Sequence, residues 1–244
     1  MLISHLQKRM AEAAILISQR RLEEASATLV AVLRSLQDTE AESNGCASTA
    51  NHGNRLVGIQ LGELSFRPIS RECKIACPDW DADFFCLPFA LFAPSERATA
   101  KVTQHIALAC ASASLFMIGL CYHLSAQENE KRCPEAALQA SCTFYGRAWA
   151  TMKQLSRSSN GSSLNEQAST ETLVAILRMA VSTNLANVCY KLGELEAANA
   201  WLSVLQDLVL VGNSIEDSPV EGEMHDFFLL TSTVNTGFAA AGAA

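Results

Sequence analysis

Apolar residues recur at helical spacing along most of the chain. Leu6, Met10, Ala13 and Ile17 step by four and three, and Leu22, Ala25, Leu29, Val32 and Leu36 resume the alternation after a phase slip. The slip predicts two helices, although Gln19-Arg20-Arg21 contains no glycine and one continuous helix fits the same residues. Asp38 to Asn54, rich in Ser, Thr, Asn and Gly, reads as a linker. Farther on, Val102, Ile106, Ala109, Ala113, Phe116 and Leu120 form a one-sided stripe that Pro94-Ser95 opens. Pro134 then starts a helix carrying Ala137, Ala140, Phe144, Ala148 and Met152 on one face. After a second polar linker, Leu177, Val181, Leu185, Val188 and Leu192 predict a helix stopped by Gly193. Leu195, Ala198, Leu202, Leu205 and Val209 predict its partner, stopped by Gly212.

Residues 55 to 93 break the helical period. Val57, Ile59 and Leu61, then Leu64 and Phe66, then the run Phe84 to Phe89 read as short extended pieces punctuated by Pro68, Pro78 and Pro88. The pattern therefore predicts an all-α chain, a short α-solenoid of three antiparallel helical hairpins, interrupted by a small irregular or β-hairpin insert. Residues 1–38 form the first hairpin and 39–93 the linker and insert. Residues 94–244 form the remaining helical domain, with a linker near 156–168, a short helix or turn around 224–234 and a loose Ala/Gly tail.

In the stretch NLANVCYKLGELEAANAWLSVL, Leu185, Ala186, Cys189, Gly193, Leu195, Ala198, Leu202 and Leu205 fall in order on the signature positions of a repeat. Small residues flanking the glycine let two antiparallel helices approach closely. The stretch resembles a tetratricopeptide repeat, departing from it at Leu205, where a small residue is usual, and in lacking the following proline. Leu22, Ala25 and Leu29 look like the second half of a repeat without its glycine, and Ile118-Gly119 with Tyr122 like the first half of another. The order LFMIGLCYHL, AALQASCTFYGRAW, NLANVCYKLG also resembles tetratricopeptide-like proteins of unicellular algae, a likeness that implies a fold and no activity.

The net charge of −7 and the absence of any Lys/Arg cluster argue against nucleic-acid binding. Charges at Lys8, Arg9, Glu12, Arg20 and Arg21 interrupt the apolar core a signal peptide needs, which predicts an intracellular, cytoplasmic protein. Nine scattered cysteines then read as reduced apolar fillers. Val102 to Gln127 carries no charge and is long enough to cross a membrane, so a membrane-associated chain with a spanning helix near 102–124 is the rival reading. The one-sided stripe, with Thr103, Gln104, His105, Ser112 and Ser114 interrupting it, favours a buried helix.

Candidate chemistry is sparse. Cys73, Cys77 and Cys86 with His52 or His105 lack the paired spacing of a zinc site. Asp79, Asp81 and Asp83 open like a calcium loop, but Phe84 stands where glycine is required and Ala90 where a glutamate is required. His105 and His123 read as packing residues, and no nucleophile motif, glycine-rich phosphate loop, cofactor site or catalytic residue is predicted.

The tetratricopeptide resemblance implies a concave groove lined by the first helix of each pair, and with it a protein-binding or scaffold function. Asn184, Asn187 and Lys191 lie on one side of such a helix, where asparagines would hold a peptide backbone; the alternative is a row of solvated polar positions. The expected partner is a protein or peptide. Self-association, or a place in a larger complex without its own groove, is the further alternative.

Overall fold

The computed structural model describes residues 2–45, 65–68, 84–92, 104–128, 134–158, 164–213 and 227–232. Within them lie α1 (Leu2–Ser18), α2 (Leu22–Gly45), β1 (Ser65–Pro68), β2 (Phe89–Phe92), α3 (Gln104–Glu128), α4 (Pro134–Ser158), α5 (Leu164–Lys191) and α6 (Leu195–Asn213), and a helical turn over 227–232. Each helix packs on the next in chain order, α1 also meets α3, and α3 meets α5. The strands pair antiparallel, Ser65 opposite Phe92 and Pro68 opposite Phe89. β2 touches α1 and α3 while β1 touches α5, so the small sheet lies across the first helix of each pair.

The slip between Ile17 and Leu22 is a true chain reversal. The amides of Arg20 and Arg21 bond to the carbonyls of Ile17 and Leu16, closing α1 with a 5→2 and a 6→1 bond. The turn between α5 and α6 repeats the pattern: Gly193 bonds to Tyr190 and Glu194 to Cys189. The residue in the left-handed conformation is Arg20 in one turn (φ 61°) and Gly193 in the other (φ 78°). The matching residues continue into the next helix, where Leu22, Ala25 and Leu29 stand where Leu195, Ala198 and Leu202 stand.

One apolar core runs through all six helices. It joins Leu6, Met10 and Ile17 of α1, Leu29 and Val32 of α2, Phe116 and Leu120 of α3, Tyr145 and Met152 of α4, Leu177 and Val181 of α5, and Leu205 and Val209 of α6. Burying a large apolar side chain contributes on the order of 2 kcal/mol. Packing of this kind, rather than helix propensity, supplies most of a helix's stability. Cys110 and Cys121 are buried in the same core, and burial pushes both thiols up to about 12, in keeping with inert fillers.

Several sequence expectations are corrected. α2 does not stop at Asp38 but runs to Gly45, because Glu40, Ala41 and Glu42 are good helix formers. α4 continues to Ser158 and α5 begins at Leu164, both inside the linker expected near 156–168, and residues 159–163 lie outside the described residues; Glu166, Gln167 and Ala168 favour helix although no apolar stripe marks them. The extended run expected at Phe84 to Phe89 becomes a ladder only from Phe89 onward. Val57, Ile59, Leu61 and Leu64 lie outside the described residues.

The stripe on α3 is not one-sided. Ile106, Ala109, Cys110, Ala113, Phe116, Met117, Ile118, Leu120, Cys121 and Leu124 are all buried, leaving a narrow partly open strip at Leu108, Ala111, Leu115, Tyr122 and Ser125. Ile106–Glu128 has the length and apolarity to cross a membrane, and 78% of its most apolar window is covered by the protein itself. Gly119 lets α4 come this close: a Cβ there would lie 2.8 Å from the Tyr145 ring, and its carbonyl accepts a 2.9 Å bond from the Ser141 hydroxyl.

Candidate functional site

The site forms where the segment 84–89 lies against α3, α4 and α5. Phe84, Phe85, Leu87 and Phe89 are buried, although residues 84–88 belong to neither helix nor ladder. A buried backbone without a ladder must find its hydrogen bonds elsewhere. At Phe85 they come from one side chain. The Phe85 amide donates to Asn184 Oδ1 at 2.8 Å, and Asn184 Nδ2 donates to the Phe85 carbonyl at 3.0 Å.

Asn184 Nδ2 also donates to the Tyr145 hydroxyl at 2.9 Å, and that hydroxyl lies 3.4 Å from His123 Nδ1. His123 Nε2 stands 3.1 Å from Asn187 Oδ1. One tautomer satisfies the row: His123 carries its proton on Nε2 and donates to Asn187, leaving Nδ1 to accept from Tyr145. Burial first, and then the positive charge of Lys191, push His123 down to about 3 against the opposing bond from Asn187, so the imidazole is neutral. Burial likewise raises the Tyr145 hydroxyl far above its ordinary range, keeping it protonated as a donor.

The aromatic side chains of the segment pack on several elements. Phe84 stacks on His123 with ring centroids 3.9 Å apart, and Lys191 Nζ lies 5.7 Å from the centroid of Phe84. Phe85 sits among Phe89, Phe116, Phe227 and Phe228, at 5.3 Å from the last. Phe89 meets Phe116 edge to face at 5.4 Å. The turn over 227–232 is tied to α6 by Gln206 Nε2, which donates to the Ser232 carbonyl at 3.0 Å.

The three residues expected to face a groove do converge here, but not as an open polar row. Asn184 is fully buried and occupied by Phe85, Asn187 is half-buried on His123, and only Lys191 is exposed. Among the repeat positions, Leu185, Ala186, Cys189, Ala198 and Leu205 are buried and Leu202 is half-buried. Leu195 is 56% exposed, against 8% for its counterpart Leu22; α3 packs along α2, whereas the described element that follows α6 is the short turn over 227–232. His123 is the hydrogen-bonded packing residue its sequence position indicates. Sequence reasoning missed Tyr145, Phe84 and Phe85; the signal lay in the apolar run Phe84 to Phe89, too hydrophobic for an exposed insert.

Cys73, Cys77, His52, Asp79, Asp81 and Asp83 lie outside the described residues, and among the described residues no three His, Cys, Asp or Glu side chains converge. No family model, curated protein or solved structure matches the chain.

Proposed function

We propose that this chain is a protein-binding or scaffold module, a short tetratricopeptide-like array that holds an extended peptide across α1, α3 and α5. The observation that carries the reading is the pair of hydrogen bonds between the Asn184 carboxamide and the amide and carbonyl of Phe85. A carboxamide used in this way grips main chain whatever the side chain, which is how a groove accommodates peptides of varied sequence. Support for repeat architecture comes from the two identical turns at Arg20 and Gly193, each followed by the same Leu-x-x-Ala-x-x-x-Leu spacing. The burial of α3 supports this reading over that of a membrane-spanning helix.

Lys191 supplies the test, because it is exposed and can be changed without opening the core. A partner captured by the full-length chain from its native cell is expected to be lost with Lys191→Glu, while stability in urea unfolding falls by no more than about the 1 kcal/mol of the contact with the Phe84 ring. Undiminished capture by that variant would remove the groove assignment.

A further inference from the structure

The segment 84–89 meets the helices as a ligand meets a receptor. Its main chain is held at Phe85 by a side chain 99 positions away rather than by a neighbouring strand. Its side chains enter places built by other elements: His123 and Phe116 of α3, Lys191 of α5, and Phe228 near the C-terminus. Contacts of α3 with α4 and of α4 with α5 bring His123, Tyr145 and Asn184 together. The receptor is thus assembled by helix packing, and the segment fills it.

We infer that residues 84–89 are an intramolecular ligand, and that the same site takes in exchange an extended, uncharged peptide of the same pattern. That pattern is aromatic at the first two positions, aliphatic at the fourth and aromatic at the sixth, as in Phe84, Phe85, Leu87 and Phe89. The inference rests on the peptide-binding reading above and names the ligand chemistry. The ring between His123 and Lys191 selects an aromatic first residue, since an aliphatic side chain offers no π-face to the ammonium. The three receptor rings around Phe85, those of Phe116, Phe227 and Phe228, select the second. A charge at the buried positions would be desolvated without a counter-ion. Release of the segment takes the Phe85 amide and carbonyl away from Asn184, and a peptide that brings the same two main-chain groups restores both hydrogen bonds. The covalently attached segment lowers the apparent affinity of any competitor by the fraction of sites it occupies.

The probe is a fluorescein-labelled synthetic peptide carrying residues 84–89 with a lysine-rich solubilising tail, titrated into the full-length chain. Phe84→Ala weakens the attached competitor and leaves the receptor intact, so the peptide is expected to bind that variant at least tenfold more tightly than the wild type. Adding Asn184→Leu should abolish binding. Binding to neither chain, equal affinity for both, or indifference to Asn184→Leu each overturns the inference. Should Phe84→Ala fail to fold, hydrogen exchange of the wild-type chain decides. The Phe85 amide exchanging at least a hundredfold faster than those of Leu120 and Val181 supports a separately released segment; exchange at their rate overturns it. A chain that captures a partner while Phe85 exchanges only with the core would keep the protein-binding reading and lose this one.

Discussion

Arg20 and Gly193 occupy the same place in two turns with the same hydrogen bonds, and only one of them is a glycine. An L side chain in the left-handed region costs about 1 kcal/mol or more, whereas glycine adopts it freely. Arg20 recovers little of that through its 3.5 Å ion pair with Glu128, since both side chains are more than a third exposed. Arg20→Gly is therefore expected to raise stability by roughly 0.5–1 kcal/mol. Gly193→Ala should lower it by about 1 kcal/mol for conformational reasons alone, because among the described residues its Cβ would meet no atom within 4 Å beyond its chain neighbours. Urea unfolding of both variants checks the pair, and a loss of stability in Arg20→Gly would contradict the equivalence of the turns.

Gly119 is required for a different reason. Its added methyl would lie 2.8 Å from two atoms of the Tyr145 ring, which is fully buried and tethered to Asn184. Gly119→Ala should cost roughly 1–3 kcal/mol by forcing α3 and α4 apart, despite alanine's better helix propensity. A rise in the unfolding midpoint would show that the ring can step aside.

His123 links stability to pH. Its folded pKa, near 3, lies below the ordinary value of 6.5, so the unfolded chain takes up the proton first. The contribution of the neutral imidazole is complete above about pH 6.5 and is lost as pH falls toward 3, with a slope of roughly 1.4 kcal/mol per pH unit in that window. The wild type should lose more stability than His123→Gln between pH 7 and pH 4.5. Parallel losses in the two chains would remove His123 as the cause.

Among the described residues, three buried hydroxyls, those of Ser114, Ser182 and Thr183, have no hydrogen-bond partner. An unpaired buried hydroxyl costs about 1–3 kcal/mol, and alanine is the better helix former. Ser114→Ala and Ser182→Ala should each leave stability equal or raise it by about 1 kcal/mol. A drop of that size in urea unfolding would mean the hydroxyl is bonded in solution, for example to a buried water.

Local spacing along the chain encodes its helices and turns. Steps of three and four located six helices, the phase slip before Leu22 located a turn without glycine, and Gly193 located its counterpart, because these depend on residues within a turn or two of one another. The tail of α2 and the start of α5 escaped, since polar helix formers without an apolar stripe look like linker. Which side of α3 is covered, and that it is nearly all of it, depends on the packing of distant segments. Such packing also decides between Asn184 and Asn187, three residues apart on one helix. Asn184 is the buried one because Phe85, 99 positions earlier, lies against it. A helix period shows that two side chains share a face, but the environment of that face belongs to whatever distant segment packs there.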